Sequence, residues 1–577
     1  MMQTNWLRWT VMLTLAAAAH VHGAQTADAT VGTDWPCFRG PNRDGIAPGS
    51  PKLADKWPKD GPKLLWRSGY IPSGMDGGWS SCVAANGKVF VYFIACAPKD
   101  PAKGLRPITA EVLAEWGWRE DLPADLVKKI EDERKTPGWN EMQRRNNKAE
   151  MAEFAKKFAA GLDPKVAEKY ASVIDKRFTN IDAHGAASET GWSWGGSYSW
   201  PALEQFARHK DQEFKTSRDF QMAMDKLSAA KNSFYQWTGP FNAAFGNAAE
   251  GSDGMACLDA NTGKELWRTL VPRGTNPAPR GSYCVGSTPA AANGKVYVSG
   301  QFWLYCLSEK DGTVIWKKPL GSFSHSSPLV LNGAVICCAD GPLSAYDGET
   351  GKVLWQQPKA GGSNSSPVLW THDGKTYVVF AGYNPCCVDP ARGTILWQDE
   401  KNHGDDSTPA VSGDYLLIGL VNKKLFKLTP QKAELLWSKG GQYGDHIGSP
   451  LIYNDCVFDT GGVGRCLDLK TGEIKWSESG FLKCDYATPC IVDGKVIAYP
   501  QCFPGGEPFG YIAMYRPVGE KFELLSVFKP KFENLIPGEK GDFCHIVDMN
   551  FVTSPAVAGG KLFVRMADSV YCYDLRQ

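Results

Sequence analysis

Six polar residues stand at one recurring place in this 577-residue chain, a few positions ahead of a Ser-Pro or Thr-Pro dipeptide: His325, Asn364, Asp406, His446, Asp485 and Asn550. Asp405, Asp445 and Asp548 stand beside them. Imidazole, carboxylate and amide groups converging on one concave space are the usual makings of a ligand site, so these six are the candidate ligand- or cofactor-binding residues. The alternative is a ring of solvated loop residues around a water-filled channel. Two His and several carboxylates suit a metal, yet no metal-specific spacing such as His-Glu-x-x-His occurs. No Cys-x-x-Cys-His occurs either, which excludes attached c-type haem. No catalytic residue and no metal ligand is assigned.

What brings these residues together is a repeat of roughly forty residues, best seen from Ser326 to Trp355. Short β-type runs separated by Asn-Gly, Asp-Gly and Thr-Gly turns at that period predict a β-propeller of four-stranded blades. Two marks count the blades. Inner strands begin at Ser81-Cys82, Thr288-Pro289, Ser327-Pro328, Ser366-Pro367, Thr408-Pro409, Ser449-Pro450, Thr488-Pro489 and Ser554-Pro555. Outer strands carry Trp66, Trp267, Trp316, Trp355, Trp397, Trp437 and Trp476, with Phe528 in the remaining place. Both marks give eight. Because the first outer strand precedes the first inner one, Leu64 to Trp66 is expected to complete the last blade and close the ring, which removes the exposed edges of an open sheet.

The first blade is interrupted between its second and third strands. Residues 97–252 far exceed a structureless loop and predict a helical subdomain, with apolar stripes at Leu122, Leu126 and Ile130; at Met151, Phe154 and Phe158; at Val166, Tyr170, Val173 and Ile174; and at Phe220, Met224 and Leu227. Residues 186–201, rich in Trp, Gly and Ser, read as a loop. In a four-stranded meander the second-to-third connection lies on the face where every inner strand starts. The insertion is therefore placed as a cap over the polar ring.

Of the 17 cysteines, Cys257, Cys306, Cys387, Cys466 and Cys572 share one third-strand position, where Ala345 stands in another blade. That substitution pattern indicates buried thiols used as small apolar groups. The adjacent pairs Cys337-Cys338 and Cys386-Cys387 fall in strands, where neighbours face opposite ways, so disulfides between them are not expected. The Asp of each Asp-x-x-Thr-Gly turn is read as structural, accepting hydrogen bonds from its own turn.

Composition is that of a globular chain, 43% hydrophobic and 22% charged, and a net charge of +1 gives no support to a nucleic-acid partner. Residues 1–24 have Arg8, an apolar run from Val11 to Ala19 and a small-residue site, the pattern of a cleaved signal peptide. The run is too short for a span. The expected organisation is a signal peptide at 1–24, an extended arm at 25–62, the closing strand and start of the first blade at 63–96, the helical cap at 97–252, and the rest of the propeller at 253–577. The expected product is an exported monomer, periplasmic or extracellular, with no transmembrane span.

The pattern Asp-x-x-Thr-Gly-x-x-x-Trp, present at Asp259 to Trp267, Asp347 to Trp355 and Asp468 to Trp476, and at Asp389 to Trp397 with Arg392 for Thr, resembles the pyrroloquinoline-quinone-like propeller family. That resemblance implies an all-β, eight-bladed propeller. It also implies that the Trp-Pro-x-Phe-Arg-Gly-Pro segment of the arm, at Trp35 to Pro41, is a family feature, and Trp35 and Phe38 are expected to pack on a blade edge. The family includes both quinoprotein alcohol dehydrogenases and a non-enzymatic scaffold of the outer-membrane β-barrel assembly machinery, so fold does not choose between them. No second signature of the type Trp-x4-Tyr-Asp and no calcium-holding set of Asp, Glu and Asn is found, so pyrroloquinoline quinone with calcium lacks full support as a cofactor. The favoured reading is a ligand-binding or protein-assembly module, with a small-molecule ligand or an exported protein as partner. The alternatives are a divergent quinone-dependent dehydrogenase of alcohols or sugars, and a glycan or polymer binder using Trp192, Trp194 and Trp200.

Overall fold

The structure, a computed structural model, describes residues 34–73, 78–98, 102, 104–145, 147–179, 200–215, 219, 223, 249–272, 287–320, 325–339, 341–362, 364–404, 407–419, 422–440, 448–459, 464–478, 487–499, 511–530, 553–566 and 569–577. The repeats fold as eight blades of four antiparallel strands, the seventh extended by a short parallel fifth strand, Ile46–Ala47, which makes an eight-bladed β-propeller. In the third blade Leu329–Leu331, Ala334–Cys337, Pro342–Asp347 and Val353–Gly361 follow one another outward. Its first hairpin turns on Asn332 at φ 50° and Gly333 at φ 78°, the left-handed pair that suits the twist of a two-residue hairpin. In the eighth blade Ala556–Ala558, Lys561–Met566 and Ser569–Asp574 are completed by Lys63–Arg67, with Trp66 opposite Cys572. The N-terminal strand closes the ring, as the count of marks requires.

Two sets of contacts join neighbouring blades. At the axis, the backbone N–H of each mark residue donates to the hydroxyl oxygen of the next: Ser81 to Thr288 (3.3 Å), Thr288 to Ser327 (3.1 Å), Ser327 to Ser366 (2.9 Å), Ser366 to Thr408 (3.1 Å), Thr408 to Ser449 (3.0 Å), Ser449 to Thr488 (3.1 Å), Thr488 to Ser554 (3.0 Å), and Ser554 back to Ser81 (2.8 Å). A buried N–H must find an acceptor, and a short hydroxyl on the adjacent blade supplies it. The Pro that follows brings no further N–H to satisfy.

At the rim, the indole N–H groups of Trp66, Trp267, Trp316, Trp355, Trp437 and Trp476 donate to carbonyls in the next blade's turn, at Ala260, Glu309, Gly348, Pro390, Leu469 and Val518. The Thr-Gly glycine of that turn lies on the indole: a Cβ on Gly351, at φ +67°, would come within 2.7 Å of the Trp316 ring. Asp347 holds the same turn by accepting from the Thr350 amide (2.8 Å) and hydroxyl (2.7 Å). Asp-x-x-Thr-Gly-x-x-x-Trp is thus a docking pattern, one half meeting the preceding blade and the other the following one. The seventh blade differs from expectation in register. Ser526, not Phe528, faces Met514 where other blades put Trp opposite the third strand. Phe528, two residues on, carries the docking contact beneath Gly61, whose Cβ would fall 2.3 Å from its ring. Trp57 packs edge-on against Phe528 with centroids 5.5 Å apart, and its amide donates to Ser526 (3.0 Å).

Cys257, Cys306, Cys387, Cys466 and Cys572 each stand opposite the Trp of their own blade and are buried. These five are free thiols, as are Cys337, Cys338 and Cys386. Burial pushes the thiols of Cys257, Cys306, Cys387 and Cys572 up to about 12, so they stay protonated and unreactive at neutral pH. A maleimide should leave these four unmodified in the folded protein and label them once the chain is denatured without reductant. Peptide mass mapping reads this, and finding them labelled in the native state or disulfide-linked after denaturation would contradict the packing.

The insertion grows from the first blade on a stalk. Lys88–Pro98 and Ala249–Asp259 stay paired from Lys88 and Asp259 out to Pro98 and Ala249, well past the three-residue inner strand Val83–Ala85. Beyond it lie helices α1 (Ala110–Glu115), α2 (Ala124–Glu133), α3 (Pro137–Arg145), α4 (Lys148–Ala160), α5 (Pro164–Lys169), α6 (Ala171–Thr179) and α7 (Trp200–Ala207). Asp163 caps α5 by accepting from the amides of Lys165 (2.9 Å) and Val166 (3.2 Å). The stripe from Val166 to Ile174 forms two helices, parted at Tyr170. Trp200 and Pro201, expected in a loop, begin α7, while the stripe at Phe220, Met224 and Leu227 lies outside the described residues. Two apolar clusters fill the insertion, one around Leu113, Trp116 and Phe206, the other around Ile130, Trp139, Met151 and Phe178. Both are built from insertion residues alone. No helix among the described residues is long and apolar enough to cross a membrane.

Candidate functional site

Every inner strand runs from its Ser or Thr mark to its hairpin turn, so all marks lie on one face of the ring and all first turns on the other. Residues 34–47 enter the ring from the turn face. Asp34 accepts from the amide of Asn86, in the first blade's turn (3.0 Å). Trp35 then pairs antiparallel with Ala84 (2.7 and 2.9 Å), and the Pro36 carbonyl accepts from Ala291 (2.8 Å). After its tip, the arm returns beside the seventh blade's inner strand, parallel to it, with Ile46 against Ile491 and Ala47 against Val492. It leaves where the Leu53 amide donates to Asp493, again in a turn (2.8 Å). Trp35 is thus buried against the innermost strand of the first blade, the axial edge of that sheet, which fits its expected packing on a blade edge.

The tip of this loop carries the arm's two arginines to the level of the marks. Arg39 donates to the carbonyls of Thr408 (3.3 Å), Pro409 (2.9 Å) and Pro450 (2.7 Å). Arg43 donates to Ser327 (3.0 Å) and Pro328 (2.7 Å), two blades away across the ring. The inner strands of the third, fifth and sixth blades have no described strand on their axial side, so these carbonyls would otherwise be orphaned. The planar guanidinium fork bridges several of them at once. Both arginines are 2% exposed. Desolvation lowers Arg39 to about 10, which leaves it charged at neutral pH, and lowers Arg43 for the same reason. The tip turns tightly at Gly45, φ +84°, where a Cβ would sit 2.3 Å from Leu451. Sequence reasoning passed over both arginines because fully buried Arg is rare; a pair of them in an arm otherwise made of Gly, Pro and Asn was the available signal.

Above the tip, on the mark face, Trp79 and His325 stack with ring centroids 6.4 Å apart and planes within 12°. Each stands two residues ahead of its mark, in the first and third blades; the second blade has Gly286 at that offset. Asn364 holds the same offset in the fourth blade and, like His325, is half-buried. Trp79 was missed as a site residue, although its offset from Ser81 equals that of His325 from Ser327. Asp406, His446, Asp485 and Asn550 lie outside the described residues. The structure thus brings His325 to Trp79, with Asn364 in the neighbouring blade. One step closer to the marks, buried hydroxyls fix this rim: Ser287 accepts from the Ser299 amide (2.9 Å), Ser326 from the Cys338 amide (3.3 Å), and Thr553 donates to the Arg565 carbonyl (3.1 Å).

Asp253, at the root of the stalk on the same face, is 2% exposed and accepts from the Tyr92 (2.6 Å) and Tyr305 (2.7 Å) hydroxyls and from the amides of Gln301, Phe302 and Trp303 (3.0, 3.0 and 3.2 Å). Burial raises its carboxyl, against the lowering effect of the Tyr92 and Tyr305 hydroxyls and the Phe302 and Gln301 amides. Its role is a clamp between the first and second blades, since its acceptor capacity is consumed.

Chemically, the described mouth offers an indole face, an imidazole and an amide over a positively charged floor. Among the described residues no group of three His, Cys, Asp or Glu side chains could hold a metal ion, and no reaction step is assigned to the mouth.

Residues 252–401 and 386–498 match the family model described as outer membrane protein assembly factor BamB. A comparison with curated proteins gives no match. Among solved structures, BamB from Moraxella catarrhalis is 15% identical, covering 56% of this chain and 91% of its own, with a TM-score of 0.38. A europium-containing methanol dehydrogenase is 12% identical over 46% of this chain and 70% of its own, TM-score 0.30. The quinohemoprotein alcohol dehydrogenase ADHIIG from Pseudomonas putida HK5 is 14% identical over 51% and 65%, TM-score 0.32.

Proposed function

We propose, from a propeller whose repeats at residues 252–498 belong to the pyrroloquinoline-quinone-like family, that this protein is a binding module. Its ligand, a small molecule or a segment of an exported protein, is taken at the mark-face mouth around Trp79, His325 and Asn364. The observation that carries this reading is the arm. Arg39 and Arg43 consume the axial carbonyls at mark level, so a ligand meets a floor there and binds above it. Asp406, His446, Asp485 and Asn550 are proposed to complete the rim, and the insertion at 97–252 to restrict entry. Export by residues 1–24, a periplasmic or extracellular location and a monomeric state belong to the same proposal. A dehydrogenase using pyrroloquinoline quinone is the second reading. It is tested by absorbance after adding the quinone with calcium, followed by dye-linked oxidation of alcohols and aldoses.

A thermal-shift screen of metabolites and exported-protein peptides tests the first reading. A hit should lose at least tenfold in affinity in His325→Ala and in Asn364→Ala, about 1.4 kcal/mol or more. Stability should change by about 1 kcal/mol or less, because both side chains are half-buried at the rim and outside the apolar clusters. Hits that bind both variants as tightly as the parent would move function to the sides or the turn face.

A further inference from the structure

The helical insertion holds a cleft of about 300 Å3 that the mouth reading does not use, lined by Trp118, Arg119, Leu122, Val127, Trp200 and Glu204, with Glu120 at its edge. It lies where the two helical cores meet, and Trp200 packs against both. From the geometry we infer that this cleft binds a neutral saccharide, about one or two pyranose rings in size, the volume being at the small end for ligand sites.

Three observations carry the inference. First, Trp118 and Trp200 are both only half-buried at the cleft, and a partly open indole offers an apolar face of the kind the C–H face of a sugar ring packs on. Second, the polar groups are held in place before any ligand arrives. The Trp200 indole N–H donates to Glu204 (2.9 Å), and its backbone amide donates to Glu131 (3.3 Å). Arg119 is fixed by both oxygens of Asp121 (3.0 Å each) and by the Lys169 carbonyl (3.3 Å). The Glu204 carboxylate keeps lone pairs for hydroxyl donors, since two oxygens offer about four acceptor sites. Third, the charges cancel locally: Arg119 pairs with Asp121, which Lys169 also reaches (3.2 Å), and Glu120 pairs with Lys210 (3.4 Å). A strongly anionic or cationic ligand gains little there, whereas a polyhydroxylated neutral one finds acceptors, donors and aromatic faces together. A proline-rich peptide also uses aromatic walls, but it needs an extended groove rather than a short cleft.

The test uses the full chain, titrated with maltose, cellobiose and N,N′-diacetylchitobiose, each to about 10 mM, a range that captures weak millimolar affinity. Tryptophan fluorescence and saturation-transfer NMR report binding. At least one disaccharide should saturate. Trp118→Ala should weaken it at least tenfold and Glu204→Gln about threefold or more, while His325→Ala should leave it within about twofold. If Trp118→Ala does not fold, Glu204→Gln and Arg119→Gln carry the test, because both are surface side chains whose change leaves the two apolar clusters intact. The inference fails if no disaccharide gives a saturable signal, if the cleft variants bind as the parent does, or if a proline-rich decapeptide alone occupies the cleft. The His325→Ala arm keeps this result separate from the fate of the mouth reading.

Discussion

A chain lacking residues 34–67 should not form a stable monomer. That segment supplies the eighth blade's outer strand, the contact of Gly61 and Trp57 with Phe528, and the whole axial loop. Without it, Ser569–Asp574 presents an unpaired edge rich in Tyr, Val and Cys, the kind of edge that invites pairing with another copy. Buried Trp35, Trp57 and Trp66 would also be lost from the largest apolar cluster. At about 3–5 kcal/mol for each deleted aromatic, their combined loss is comparable to the total stability of an ordinary domain. The expected result is aggregation in sedimentation velocity, with no cooperative transition on heating. A truncated chain that melts at the parent's temperature would mean the ring closes some other way.

The second large effect is expected at single residues. Arg39→Ala removes a guanidinium that serves three inner-strand carbonyls, and Arg43→Ala one that serves two. Each buried carbonyl left unpaired costs about 1–3 kcal/mol, reduced where water reaches it. A loss of about 3–5 kcal/mol per substitution follows, at the high end for point changes. Arg39→Lys should recover little of it, because an ammonium cannot fork between blades as a guanidinium does. Guanidinium chloride unfolding reads the change as a lower midpoint at constant slope. Midpoints unchanged in both alanine variants would show that the axial carbonyls are satisfied without the arm.

Much of this architecture was legible in the sequence because repetition multiplies weak signals. One Thr-Gly turn or one Ser-Pro step means little, but eight marks in step with the outer-strand Trp residues fix blade number and closure. The same repetition placed Cys257 and its equivalents in a small apolar slot, which the facing Trp explains. Places without a repeat were misread or passed over. The arm has no period to read, and its arginines are buried by fitting carbonyls that no local pattern announces. In the seventh blade an aromatic was assigned to the Trp place by type, whereas Ser526 occupies the register and Phe528 the contact. Trp79 was visible only through its offset, which a search for polar groups ignores. His325 and Asn364 each stand two residues ahead of a mark, but Asp406, His446, Asp485 and Asn550 lie outside the described residues.

The closing strand also sets an order of events during synthesis. Roughly five hundred residues separate Arg67 from its partner strand beginning at Ser569. At about 5–20 residues per second, Lys63–Arg67 waits roughly half a minute to two minutes for a partner to exist. Within that interval Arg43 gains its acceptors once the third blade is made, and Arg39 gains its own once the fifth and sixth are. The closing strand is thus made early and paired last, and a nascent chain must keep Lys63–Arg67 without its partner while seven blades assemble. Maturation therefore ends with a single latch, and the vulnerable species for proteolysis is a nearly complete ring whose closing strand is still unpaired.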